Sequence, residues 1–202
     1  MHNTRRGVSR SCRGCRVESN AARRLDRYQV MKFRSAISTA RTAEAAYLEA
    51  SNEVRDGLDR SAVSLVVFFV SEFSEGDVEF LARRVREDFP GATTLGTSAE
   101  GVIGGGQEVE RTKGLSLFAA SLPEATLTPL RLIPEETERP DFATWLEVEP
   151  DDEPSWIVFG DPFSFPIDRF LDRINETYPG RPVIGGMASG GWQPGLSFLA
   201  LD

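Results

Sequence analysis

The chain has 202 residues, 40% of them hydrophobic and 27% charged, with a net charge of −8 at neutral pH. That is ordinary globular usage, enough for one sizeable domain or two small ones. No apolar run approaches the roughly 18–20 residues that cross a bilayer, and an acidic body repels phosphate backbones, so neither membrane insertion nor a nucleic-acid partner is expected.

Charge is unevenly spread. Residues 1–30 hold eight arginines against Glu18 and Asp26, so the remainder is more acidic than the whole. This arm lacks apolar periodicity and the apolar segment of a secretory signal. It reads as an unstructured basic extension, with an organelle-targeting sequence or a tail for acidic surfaces as the alternatives. The folded domain is expected over 31–202, in the cytoplasm. Cys12 and Cys15 are the only cysteines and His2 is the only histidine. A zinc site wants four ligands, and a redox CxxC wants a strand–helix junction, so this pair reads as chance spacing. From Met31 onward there is neither Cys nor His, which excludes thiol nucleophiles, imidazole bases and conventional zinc sites. Lys32 and Lys113 are the only lysines. No catalytic residue, metal or cofactor is therefore assigned, and binding rather than catalysis is expected.

Residues 33–38 read as a first strand. In 39–60, Ala43, Tyr47, Ala50, Val54 and Leu58 recur at helical spacing, with Thr39 as the expected N-cap. The run 62–71 is apolar without alternation, as in a strand covered on both faces. Ser74 and Asp77 announce a second helix through a capping-box pattern, with Val78, Leu81 and Val85 on one stripe, and Pro90-Gly91 ends it. A short strand then leads into GTSAEGVIGGG, residues 96–106. Strands are expected at 113–122 and 125–133, the latter at an edge because of Pro129. Residues 134–154 carry nine acids and one arginine; they read as a solvated connector, with one short helix anchored by Phe142, Trp145 and Leu146.

A repeat organises the rest. FPGATTLGTSAEG at 89–101 aligns without gaps to YPGRPVIGGMASG at 178–190, matching at seven of thirteen positions. Upstream, VVFFV (66–70) and its helix correspond to WIVFG (156–160) and the helix 166–178, with Pro166 in the first turn. Downstream, 114–122 resembles 195–202. Each unit is strand, helix, Pro-Gly turn, strand, glycine-rich loop, strand. The expected fold is α/β, two related β-α-β units forming a mixed, largely parallel sheet with helices packed on it. The second copy stops where the first continues into another strand, which reads as a truncated domain.

Two glycine-rich loops after strands are suited to present backbone N–H groups to an anionic ligand. Neither matches a P-loop or GxGxxG. The candidate ligand-binding residues are Gly96, Thr97, Ser98, Glu100 and Gly101 in the first loop, and Gly185, Gly186, Met187, Ser189 and Gly190 in the second. Glu100 is the carboxylate that can accept a ligand ammonium. Turn geometry alone competes as the reason for Gly96 and Gly185.

The runs FPGATTLGTSAEGVIGGGQEVE, LSLFAASLPEATLTPL and VFGDPFSFPIDRFLDRINETYPGRPVIGGMASGG resemble, in order, the N-terminal domain of FIST proteins. The resemblance covers about 31–202. It implies a sensory domain of bacterial, archaeal and some eukaryotic signalling proteins, binding a small ligand such as an amino acid. It also implies a partner, either a C-terminal FIST domain or a downstream signalling protein. Thr97 stands where many members have Cys, so any thiol role there is lost. Two other readings stay open: a scaffold domain using the acidic 134–154 segment, and an enzyme relying on carboxylates near Glu100.

Overall fold

The computed structural model describes residues 30–135, 141–142 and 145–202. The basic arm, with His2, Cys12 and Cys15, lies outside the described residues. The chain divides into Met1–Val30 and Met31–Asp202, and the described secondary structure belongs to the second unit.

Strand β1 (Lys32–Ser38) is buried only toward its end, at Ala36 and Ser38. Helix α1 (Ala43–Arg55) is capped by Thr42, whose side chain accepts the Ala45 N–H at 3.3 Å. The cap thus lies three residues beyond the expected Thr39. Ser38 Oγ takes the Ala40 N–H at 3.2 Å and keeps that stretch a turn. The helix stops at Arg55, and Gly57 follows at φ +140°, outside helical space. Its inward stripe is Ala43, Ala46, Tyr47, Ala50 and Val54.

Strand β2 (Leu65–Ser71) is buried along almost its whole length, as its unbroken apolar run requires. Helix α2 (Glu75–Asp88) opens with a reciprocal capping box between Ser74 and Asp77 and buries Val78, Leu81, Ala82 and Val85. Its last residue, Asp88, ties it to α1: Arg55, Arg60, Arg84 and the Tyr47 hydroxyl all converge on that carboxylate.

Strand β3 (Thr93–Ser98) is followed by a hairpin of β4 (Gly101–Gly104) and β5 (Gln107–Glu110), then by β6 (Gly114–Ser121). Gly105 and Gly106, at φ +55° and +77°, form its two-residue turn. The second half holds β7 (Trp156–Gly160), α3 (Ile167–Thr177), β8 (Val183–Met187) and β9 (Leu199–Leu201). Pro166 holds the N-cap position of α3, one residue before the expected first turn, with no side-chain cap, and its carbonyl accepts the Phe170 N–H; Phe170 and Ile174 face inward.

The fold is mixed α/β. Five strands form one sheet in the order β1-β6-β2-β3-β9, while β7 and β8 form a separate parallel pair. Among the described residues, parallel pairing is confined to β2–β3 and β7–β8, the strands joined through α2 and α3; β1, β6 and β9 run antiparallel to their neighbours. The strand expected at 125–133 does not form. Pro123 and Pro129 supply no N–H for a ladder, and the only pairing nearby among the described residues is an isolated bridge between Pro134 and Phe142. Trp145–Glu149 is not helical either; residues 143 and 144 lie outside the described residues.

Alternation along the strands sorts the core. Val66, Phe68, Val70, Leu115 and Leu117 pack with α1 and α2 on one face. Leu65, Val67, Phe69, Leu95 and Phe118 form the opposite face, together with Phe159 from β7. Helix α3 has its own aromatic core, where Phe142, Phe170, Ile174 and Tyr178 meet Trp145 and Trp156.

Candidate functional site

The duplication is visible residue by residue. Phe89 and Tyr178 end their helices with nearly the same backbone angles, φ −124°, ψ 62° and φ −128°, ψ 64°. Gly91 and Gly180 follow at φ +89° and +75°, the left-handed conformation that ends a helix cheaply only in glycine. After each second strand the chain returns an N–H to the end of the first: Ala99 to the Val70 carbonyl and Ala188 to the Gly160 carbonyl, both at 2.8 Å.

These matching ends meet. The Ser189 N–H donates to the Ser98 carbonyl at 3.2 Å, and the Glu100 N–H donates to Ser189 Oγ at 3.0 Å. Glu100 and Ser189 are counterparts in the repeat, and so are Phe69 and Phe159, whose rings lie 5.5 Å apart, edge to face. Contact between counterparts is what a local two-fold relation between the units produces. Ser98 is further fixed by Phe198: its N–H donates to the Phe198 carbonyl and its Oγ accepts the Phe198 N–H, both at 3.0 Å.

The ten sequence-selected residues fall into different roles. Gly96 lies inside β3, not at a turn; a Cβ there would sit 2.1 Å from Phe68 Cζ, so glycine makes room for the ring. Gly185 lies inside β8 at φ +141°, where a Cβ would meet the Val158 carbonyl oxygen at 1.8 Å. Turn geometry therefore explains neither. Gly101 begins β4, and a Cβ would lie 2.9 Å from the Val109 carbonyl oxygen. Thr97 is buried and its Oγ1 bonds to the neighbouring Ser98 carbonyl at 3.2 Å. Met187 is half-buried beside Gly160. Gly190, at φ +85°, faces the Ala99 carbonyl, 3.2 Å from where its Cβ would be. Ser98, Glu100, Ser189 and Gly190 thus come together, with Glu100, Gly186, Ser189 and Gly190 exposed.

The expected anion nest is not built at these tips. The N–H groups of all four tip residues are engaged within the protein: those of Ala99 and Ala188 by the Val70 and Gly160 carbonyls of their own units, those of Glu100 and Ser189 across to the other unit. The run 101–106, expected as an open loop, is the β4–β5 hairpin. Two hollows, about 300 Å³ beside Gly91 and Asp202 and about 260 Å³ between Tyr47, Arg55 and Phe80, lie elsewhere.

Sequence reasoning passed over one carboxylate at the same kind of position. Asp161 follows β7 directly. Ser164 Oγ donates to its Oδ2 at 2.6 Å, while Oδ1 is enclosed without a protein partner among the described residues. The available signal was an acid immediately after a strand and before Pro162, at a carboxyl end where open α/β folds bind ligands. No group of His, Cys, Asp and Glu able to hold a metal occurs among the described residues, and no described helix is long and apolar enough to cross a membrane.

Comparison with known proteins gives the family. An uncharacterized protein of Mycobacterium tuberculosis is 26% identical over 172 residues, covering 85% of this chain and 44% of the relative. An uncharacterized protein of Mycobacterium bovis is 24% identical over the same length and shares. The chain thus spans less than half the length of the curated relatives it matches. No solved structure matches. The FIST N domain model matches residues 64–200, from the start of β2 through most of β9, and the chain belongs to that family.

Proposed function

We propose that this chain is a small-ligand-binding sensory domain of a signal-transduction protein, taking amino acids or related small carboxylates, and that it carries no catalysis of its own. The reading rests on one observation above all: the carboxyl ends of both parallel strand pairs converge through the Ser98–Ser189 contact. Open α/β folds bind ligands at such ends. Because the loop amides there are engaged, recognition falls to the exposed Glu100 carboxylate, the Ser189 hydroxyl and the exposed backbone at Gly186 and Gly190. Glu100 suits a ligand ammonium, and Asp161 adds a second carboxylate at a strand end. Membership of a family of sensory domains supports the same reading. The body beyond Met31 has no imidazole or thiol, which favours binding over turnover.

A thermal-shift screen against amino acids, small organic acids and nucleotides tests it. A true ligand at 100 times its dissociation constant stabilises the fold by about 2.7 kcal/mol. Amino acids are expected to raise the melting temperature and nucleotides to leave it unchanged. No response to any amino acid or carboxylate would favour a scaffold role instead.

A further inference from the structure

The two repeat units are finished differently at both edges: among the described residues β2 and β3 each have a second partner, β6 and β9, whereas β7 and β8 pair only with each other. In the first, β2 pairs with β3 on one side and antiparallel with β6 on the other, Val67 standing opposite Phe118 and Phe69 opposite Ser116. In the second, β7 pairs with β8, and no strand pairs with its other edge among the described residues. The segment that resembles β6 in sequence, residues 195–202, does not fill that place, because β9 lies within it and pairs antiparallel with β3.

The backbone phase identifies the unpaired groups. The Trp156 N–H points to the Pro182 carbonyl and the Gly160 carbonyl accepts from Ala188, so the even positions of β7 face β8. Ile157 and Phe159 turn their N–H and C=O groups to the other edge, as Val67 and Phe69 do toward β6. The side chains agree. Ile157 stands opposite Ile184 on one face of the pair, and these are 38% and 63% exposed. Val67 and Leu95, their counterparts, belong to the core. Residues 155–160 hold no charge and no proline that would protect an edge from pairing.

We infer that the outer edge of β7 is a docking site for one antiparallel, mainly apolar strand of about five residues, by strand addition. The occupant is a segment of the FIST polypeptide outside the region matched here. The Mycobacterium relatives carry more than half of their length outside that region, since the match covers 44% of them. Strand pairing supplies the affinity, and the exposed Ile157 on the edge strand itself supplies the apolar surface that the neighbouring incoming side chain covers. The inference concerns this edge alone and is independent of the ligand proposal.

Residue-resolved amide hydrogen exchange tests it on two chains, the present one and the full-length M. tuberculosis relative. The Ile157 and Phe159 amides are expected to exchange at near-unprotected rates in this chain when dilute. The aligned amides of the longer relative are expected to be protected at least 100-fold. Ile157→Lys should leave the melting temperature of this chain within about 2 °C, because the position is exposed, and the matching substitution should lower that of the relative and restore exchange along the same strand. Three results would overturn the inference. They are equal exchange in the two proteins, protection of both amides in this chain as a monomer, and protection that appears only as this chain dimerises, which would make a second copy the occupant.

Discussion

Ser189 Oγ accepts the backbone N–H of Glu100 at 3.0 Å, across 89 residues of chain and between two positions that the internal repeat makes equivalent. The contact closes the ends of the two β-α-β units upon each other, and Ser98 closes it from the other side. Replacing Ser189 by Ala should cost about 0.5–1.5 kcal/mol, because a neutral hydrogen bond is lost and the freed N–H is close enough to water to be rehydrated. Ser98→Ala should cost as much or more, since the Phe198 N–H it serves is better shielded. Urea unfolding of the single and double variants reads both costs, and a double-mutant coupling above about 0.5 kcal/mol is expected for groups in one network.

Gly96 and Phe68 are a matched pair. Gly96→Ala should destabilise by about 1–3 kcal/mol through overpacking against the ring. In Phe68→Leu the same substitution should cost clearly less, because the atoms it meets are gone. Equal costs in the two backgrounds would assign the glycine to backbone conformation instead.

Much of this was legible in the sequence. The repeat, both long helices, the Ser74–Asp77 capping box and the buried β2 followed from periodicity and spacing. The glycine-rich segment was harder, because glycine marks turns, hairpins and tight strand packing alike, and only the position of Phe68 tells that Gly96 is the last of these. The strand expected at 125–133 had suitable side chains but lacked amides at Pro129 and, just before it, Pro123. The convergence of Ser98 with Ser189 is a tertiary fact that no local pattern encodes, although equal spacing of the two motifs in equivalent units made it a reasonable expectation. Asp161 went unnoticed because a single acid after a strand carries little signal by itself.

The connector makes a pH prediction. Hydrogen bonds from Arg169, then the Phe142 N–H and Arg173, lower the Asp141 carboxyl from 3.8 to about 2. A carboxylate depressed in the folded state contributes stability above its unfolded pKa, near 4, and loses it as pH falls toward 2. Melting temperature should therefore fall across that window, and Asp141→Asn should flatten the fall while lowering stability at neutral pH. Some slope will remain, because Asp59 and Asp77 are held below their ordinary value by Ser61 and Ser74.

Burial and the neighbouring Asp88 carboxylate push the Tyr47 phenol well above its ordinary value. Its contribution is complete below about pH 10 and is lost as pH rises beyond that, because the unfolded chain releases the proton first. Tyr47→Phe should cost about 0.5–1.5 kcal/mol at neutral pH and make alkaline unfolding shallower, as followed by circular dichroism.

The central claim is ligand recognition where the two repeat units close. Amide NMR of the chain, titrated with each amino acid that raises its melting temperature, tests it most directly. Saturable shifts confined to Ser98–Gly101 and Gly186–Gly190, weakened at least tenfold in affinity by Glu100→Gln, are the predicted result. Saturable shifts centred elsewhere, for example in the hollow between Tyr47 and Phe80, or an affinity untouched by Glu100→Gln, would contradict it.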